Sequence, residues 1–173
     1  METGTGTYLI TFACYGTRLP GQAGAVDRQH NQYKGLYPNE SAVRVAHAKE
    51  LAKQAPYYLD GNRRRLVLQA IQEVCQCRKW LLMAAHVRTN HVHVIVHADR
   101  PPEQVMNAFK SCASRALNHL GLDVQNRARW ARHGSTRYLW YSQQISAAIG
   151  YVISGQGEPM AIFEVQPLRP EQG

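Results

Sequence analysis

The sequence has few cysteines, no long apolar run and a shortage of acidic residues. Its four cysteines, at positions 14, 75, 77 and 112, lack the paired spacing of a zinc finger, and we interpret them as reduced thiols of a cytoplasmic protein. No segment approaches the ~18 consecutive apolar residues of a membrane span, and the first residues lack the basic and apolar regions of a secretion signal. The 173 residues fit one domain, 1–173, with a core of its own.

The scarcity of acidic residues leaves a strongly basic chain. Twenty Lys and Arg against twelve Asp and Glu give a formal net charge of +8, and most of the basic residues are arginines. Arginine makes bidentate contacts with phosphate and stacks on bases, so clustered arginines favour a polyanionic partner. Nucleic acid is favoured over a membrane surface, because no basic helix carries a bulky apolar face. The clusters lie at 63–65, 127–132 and 137.

Hydrophobic periodicity and turn residues predict a β-α-β-β-α-β order followed by one more helix. The strands are expected at 7–15, 80–88, 91–97 and 137–141, and the helices at 62–79, 101–120 and 143–154. Asn62 and Ser142 are the expected N-caps, and Gly121 and Gly155 the expected helix ends. This order predicts an α+β fold: a ferredoxin-like antiparallel sheet with an additional C-terminal helix. Residues 16–60 are predicted to be a loop or insertion in which only 41–54 has helical character.

Two histidines lie on one face of the predicted third strand. His91 and His93 point the same way because alternate residues of a strand share a face, while the intervening valines point to the other. Such pairs are often packing or surface residues. Two imidazoles on a rigid strand can, however, bind a divalent metal in a fixed geometry. The neighbouring Arg88, Asn90 and Lys110 favour a metal site that receives an anion.

A tyrosine in the last predicted helix gives these features a family resemblance. Tyr151 alone would be read as a packing residue, but with the element order and the histidine pair the chain resembles the single-tyrosine transposases of the HUH endonuclease superfamily. The resemblance rests on Tyr8 to Phe12 followed by Tyr15-Gly16, on Arg88 to Val96 with its Asn-His-Val-His centre, on Phe109-Lys110-Ser111 with Ser114-Arg115, on Trp130-Ala131-Arg132, and on Ile149-Gly150-Tyr151-Val152.

The resemblance implies a metal-dependent enzyme that cleaves and rejoins single-stranded or hairpin DNA. His91 and His93 would hold Mg²⁺ or Mn²⁺. Tyr151 would attack a phosphodiester, giving a 5′-phosphotyrosine and a free 3′-OH. The protein would act in the cytoplasm at the nucleoid, and whether it works as a homodimer stays open. Arg88, Asn90, Lys110 and Arg115 are expected to contact the DNA.

The third metal ligand departs from the family pattern. In related enzymes a Gln or Asn follows the tyrosine by four residues, but here that position is Gly155. A five-residue step on a continuous helix rotates Gln156 about 140° away from the tyrosine. We expect a left-handed turn at Gly155 to bring Gln156 back as the third ligand, with Glu158 as the substitute.

Two other classes of function compete with this hypothesis. A non-catalytic nucleic-acid-binding module would use the same sheet, although the positions that would stack bases carry His91 and His93 instead of aromatics. A histidine-metal hydrolase of a small molecule would need carboxylates near the motif, and the nearest, Asp99, lies beyond the strand. Among rival nucleophiles, Tyr138 and Tyr141 flank Trp140, and packing is expected to explain these two tyrosines.

Overall fold

The computed structural model describes residues 4–18 and 41–166. In chain order the elements are β1 (Gly6–Cys14), α1 (Ala42–Leu51), α2 (Gly61–Arg78), β2 (Leu81–Val87), β3 (His91–Ala98), α3 (Pro102–Leu120), β4 (Trp130–Tyr138), α4 (Ser142–Ser154) and β5 (Ala161–Glu164). The strands form one sheet of order β4-β1-β3-β2-β5, in which each strand is antiparallel to its neighbours. The ferredoxin-like α+β fold with an added helix is confirmed. Of the predicted insertion, residues 19–40 lie outside the described residues.

The alternation of side chains along the strands divides the core into two layers. On one face, Tyr8, Ile10 and Phe12 of β1 join Phe109 of α3 in the larger buried cluster, which α2 also covers. On the other face, residues of α4 pack on Ile95 and neighbouring strand residues in a smaller cluster. Because β3 alternates in the same way, its histidines lie on the α4 face. No helix within the described ranges is long and apolar enough to cross a membrane.

The residues at the helix ends differ from two of the expected N-caps and agree with one expected C-terminal end. Helix α2 is capped by Asp60, not by the expected Asn62, because the Asp60 carboxylate accepts from the Arg63 backbone N–H at 2.8 Å. The expectation that Ser142 caps α4 is also wrong, since the cap residue is Tyr141. The predicted end of α3 at Gly121 is confirmed, with φ of +71° there.

The two edge strands are the elements that the sequence pattern did not predict correctly. Strand β4 begins at Trp130 and ends at Tyr138, whereas the prediction placed it at 137–141. Strand β5, four residues long, was not predicted at all. Neither strand contains a buried residue, so neither shows the alternation of apolar and polar residues by which a half-buried strand is recognised. Their places are set by pairing with β1 and β2.

Candidate active site

The two histidines of β3 form the centre of the candidate site. The rings of His91 and His93 meet edge to face with centroids 4.8 Å apart. Both are buried, at 8% and 4% exposure, so they do not form the solvated pair that an exposed strand face would give. Burial lowers the pKa of His91 to about 4, and it lowers that of His93 to about 3 with a contribution from the neighbouring His91. Both imidazoles are therefore neutral at pH 7.

Hydrogen bonds orient each ring by its Nδ1 atom. His91 Nδ1 is 2.6 Å from Asn90 Oδ1, and because an amide oxygen only accepts, this nitrogen carries the proton. His91 Nε2 then holds a free lone pair, and this buried atom has no hydrogen-bond partner in the described part of the chain. His93 Nδ1 is 2.7 Å from the hydroxyl of Thr11, its cross-strand partner. A hydroxyl can donate or accept, so His93 can also leave Nε2 unprotonated.

Gln156 reaches the pair from the turn that follows α4. Its Oε1 lies 3.1 Å from His93 Nε2, and its Nε2 is 3.5 Å from the Tyr151 carbonyl. The expected left-handed turn at Gly155 is wrong: Gly155 has φ of −85°, and the positive φ of +78° is at Gly157. Glu158, the expected substitute ligand, is exposed and approaches this region through its backbone carbonyl, which accepts from Arg88 at 3.0 Å.

The donor atoms of this cluster fit a divalent cation. His91 Nε2 is a nitrogen without a hydrogen-bond partner, and Gln156 Oε1 is an amide oxygen. The third atom is His93 Nε2, whose proton can move to Nδ1 of the same ring. Gln156 Oε1 and His93 Nε2 are 3.1 Å apart, which is close enough for both to contact one ion. Within residues 4–18 and 41–166, His, Cys, Asp and Glu form no metal-binding group of three or more, so the cluster depends on the amide.

Tyr151 lies beside His93 at the C-terminal end of α4. The two ring centroids are 5.8 Å apart, and Tyr151 is 50% exposed. Ala148 and Val152 bury the inner side of α4 against the sheet, which leaves Tyr151 at the margin of the helix. The phenol is thus open to a ligand on one side and adjacent to the imidazole pair on the other.

His86 is a residue of this site that the sequence did not reveal. It is fully buried on β2, directly opposite His93 in the strand pairing. Its Nδ1 donates to the Val152 carbonyl at 2.8 Å, and its Nε2 accepts from the Met160 backbone N–H at 3.2 Å. Both ring nitrogens are therefore satisfied by backbone. His86 joins the end of α4, which carries Tyr151, to the segment after Gln156.

His86→Ala is expected to slow any reaction at Tyr151 by about tenfold to a hundredfold, because small displacements of a reacting group are costly. His86→Gln should recover part of this rate, since its amide can donate to Val152 and accept from Met160. The rate of covalent DNA capture at saturating DNA is the measurement. Val67→Ala, a truncation in the opposite layer, controls for lost stability. If both alanine variants slow the reaction equally, His86 has only a structural role.

Two arginines lie near the pair. Arg88 donates to the Glu158 carbonyl, and its charge contributes to the low pKa of His91. Arg18 has the same effect on both histidines and follows Thr17, whose hydroxyl donates to the Asn90 carbonyl at 3.2 Å. Arg18 was not predicted, because it begins the stretch in which no motif was recognised.

The other predicted DNA contacts are not all brought to this site. Lys110 is buried on α3, where its ammonium donates to the Ala131 carbonyl at 2.9 Å and so ties α3 to β4. Arg115 is exposed on α3. Both belong to the helix layer on the far side of the sheet from the histidines. Asn90 is at the site, where its amide orients His91.

Comparison with known proteins gives the family of this chain, and with it the class of DNA-processing enzyme. The model of the family described as IS200-like transposases matches residues 47–149, more than half of the chain. The chain therefore belongs to the IS200-like transposase family. The matched range includes both histidines and ends two residues before Tyr151.

Similarity to other known proteins is more distant. A solved structure of a REP-associated tyrosine transposase bound to a REP hairpin has 13% sequence identity to this chain and a TM-score of 0.49. The match covers 88% of this chain and 67% of that one. No curated protein matches the sequence.

Proposed function

We propose that this transposase-family protein cleaves and rejoins single-stranded or hairpin DNA by transesterification, with Tyr151 as the nucleophile and His91, His93 and Gln156 as ligands of Mg²⁺ or Mn²⁺. The observation that carries the proposal is the contact between a half-exposed tyrosine and a buried, neutral imidazole pair with an orphaned nitrogen. The whole chain would act as one transposase-like domain, with residues 16–60 as an insertion.

The reaction breaks one phosphodiester bond and forms another. The Tyr151 oxygen attacks phosphorus and gives up its proton, the bond to the 3′ oxygen breaks, and that oxygen leaves as a 3′-OH. A phenol of unperturbed pKa near 10 is a weak nucleophile at neutral pH, so orientation and charge neutralisation are needed. A divalent cation held by His91, His93 and Gln156 would supply that neutralisation. The 5′-phosphotyrosine keeps the energy of the broken bond, so a second 3′-OH can reverse the step without ATP.

One chain contains every residue of the candidate site. Helix α4 packs on its own sheet through Ala148 and Val152, and it places Tyr151 beside His93 of the same chain. We therefore propose that cleavage requires no residue from a second copy, and the same adduct should form in a monomer. A homodimer would serve to hold two DNA ends. The protein would act in the cytoplasm at the nucleoid, where its DNA substrate lies.

Detection of a covalent protein–DNA adduct is the experiment that tests this function. Labelled single strands from the flanking DNA, incubated with and without Mn²⁺, should yield a protein–DNA product that survives denaturation, and duplex DNA should yield less. A nucleic-acid-binding module would bind the strand without forming the product. A small-molecule hydrolase would do neither. Absence of the adduct from every single-stranded and hairpin substrate, despite tight binding, would assign the chain to the binding module.

Arg88→Gln is expected to weaken DNA binding and to reduce the slope of log affinity against log salt by about one, because each phosphate contact releases about one counterion. Arg100→Gln is the matched control, since it removes the same charge from an exposed position beyond the end of β3 that lies far from the histidine pair. Titrations with DNA from low to physiological ionic strength measure the affinity and its salt dependence for each variant. Equal effects of the two substitutions would show that only the net charge matters. Arg115→Gln tests for a second contact along α3.

A further inference from the structure

An exposed aromatic surface lies at the start of α4. It consists of Tyr138, Trp140 and Tyr141, and we call it the aromatic platform. The rings of Tyr138 and Trp140 are stacked, with centroids 5.1 Å apart and planes 9° from parallel. Trp140 is 70% exposed and Tyr141 67% exposed. The expectation that packing explains Tyr138 and Tyr141 is therefore wrong for Tyr141, and the large apolar faces of Trp140 and Tyr141 remain in contact with water.

The platform is held in place without a ligand. Tyr138 packs edge to face on the buried Tyr8, with ring centroids 5.0 Å apart. The backbone N–H groups of Trp140 and Tyr141 both donate to the side-chain oxygen of Gln144, at 2.8 and 3.2 Å. An aromatic ring has few rotatable bonds, and this backbone is already fixed. A flat partner could bind here with little loss of conformational entropy.

The charge of the chain indicates what kind of flat partner fits. The platform ends β4, a strand that also carries the exposed Arg132, and the chain has a net charge of +8. Two copies of so basic a chain repel each other, whereas a polyanion is attracted. Single-stranded nucleic acid combines a negative backbone with flat unpaired bases. Stacking of such bases on exposed aromatic residues is a general mode of binding.

The platform lies on the sheet face that α2 and α3 cover, opposite the face that carries Tyr151. Tyr138 packs on Tyr8 of the larger buried cluster, and Trp140 stacks on Tyr138. We propose that the aromatic platform stacks an unpaired base of single-stranded DNA at a place outside the cleavage site. This inference rests on the proposed function and adds to it a second contact with the strand.

Trp140 itself provides the measurement. Of the three tryptophans, Trp80 is buried and Trp130 is partly buried with its indole N–H bonded to Ser114, so Trp140 is the one that a ligand can reach. Titration of the full chain with oligothymidylate in EDTA, which prevents cleavage, should quench tryptophan emission. Trp140→Leu keeps an apolar side chain but removes the ring, and it should abolish the quenching and weaken binding about tenfold. Trp140→Phe should recover part of the affinity.

The control and the contrary outcomes separate this proposal from the proposed function. Leu122→Ala removes another exposed apolar side chain, and it should leave affinity unchanged. If the wild-type protein forms the covalent adduct without quenching of its tryptophan emission, and Trp140→Leu binds DNA as tightly, then base stacking on the platform is wrong and the proposed function stands. Wild-type protein that neither binds nor forms the adduct would overturn both. A dimer in light scattering that Trp140→Leu dissociates, with DNA affinity unchanged, would assign the surface to a second copy.

Discussion

Tyr151→Phe is expected to abolish the covalent protein–DNA adduct while leaving the protein folded and able to bind both DNA and Mn²⁺. The substitution removes one oxygen atom, which is the atom that would form the bond to phosphorus. Tyr151 is half-exposed, so its loss should change the free energy of unfolding by no more than about 0.5 kcal/mol. Denaturing electrophoresis of labelled single strands measures capture, and chemical denaturation measures stability.

The nearest rival for this role provides the matched control. Tyr141 is even more exposed than Tyr151, and it lies at the opposite end of α4. Tyr141→Phe keeps the aromatic ring of the platform and removes only the hydroxyl, which is far from His93, so this variant should form the adduct at the wild-type rate. Mass spectrometry of the wild-type adduct should place a nucleotide on the peptide that contains Tyr151. An adduct that persists in Tyr151→Phe and disappears in Tyr141→Phe would reverse the assignment.

The sequence was sufficient to predict the central elements and the histidine pair, because both depend on local periodicity. A run of valines with histidines between them has the period of two that defines a strand, so the shared face of His91 and His93 follows directly. Helix α4 was predicted because its apolar residues recur at helical spacing. These signals are strong where one face of an element is buried, as in the central strands.

The rest of the site depends on contacts between distant segments. The role of His86 requires the pairing of β2 with β3 and the docking of α4, neither of which is encoded in the neighbouring sequence. The contact between Gln156 and His93 depends on the turn from Gly155 to Gly157, whose left-handed residue was predicted two positions too early. Lys110 was expected to bind DNA from its charge and from the family resemblance, and only the folded structure reveals the backbone carbonyl to which it donates.

His93→Ala is expected to abolish DNA cleavage and to weaken Mn²⁺ binding by at least about a hundredfold, because even residues that merely orient a metal ligand contribute ten- to a hundredfold. His91→Ala should have the same effect. Both side chains are buried, so each substitution will also cost stability, and His93→Asn, which leaves a smaller cavity, should be tested beside it. Titration with Mn²⁺, followed by electron paramagnetic resonance, measures affinity without DNA.

His97 is the control that separates ligation from a general need for histidine on this strand. It shares the face of the pair, and its Nδ1 is bonded to Thr7 at 3.0 Å much as His93 is bonded to Thr11 at 2.7 Å. It lies four residues beyond His93, about 13 Å along the strand, which is too far for a shared ion. His97→Ala should therefore bind Mn²⁺ and cleave DNA as the wild-type protein does. Loss of Mn²⁺ affinity in His97→Ala equal to that in His93→Ala would show that the cation is held elsewhere on the strand, and the assignment of His91 and His93 would then be wrong.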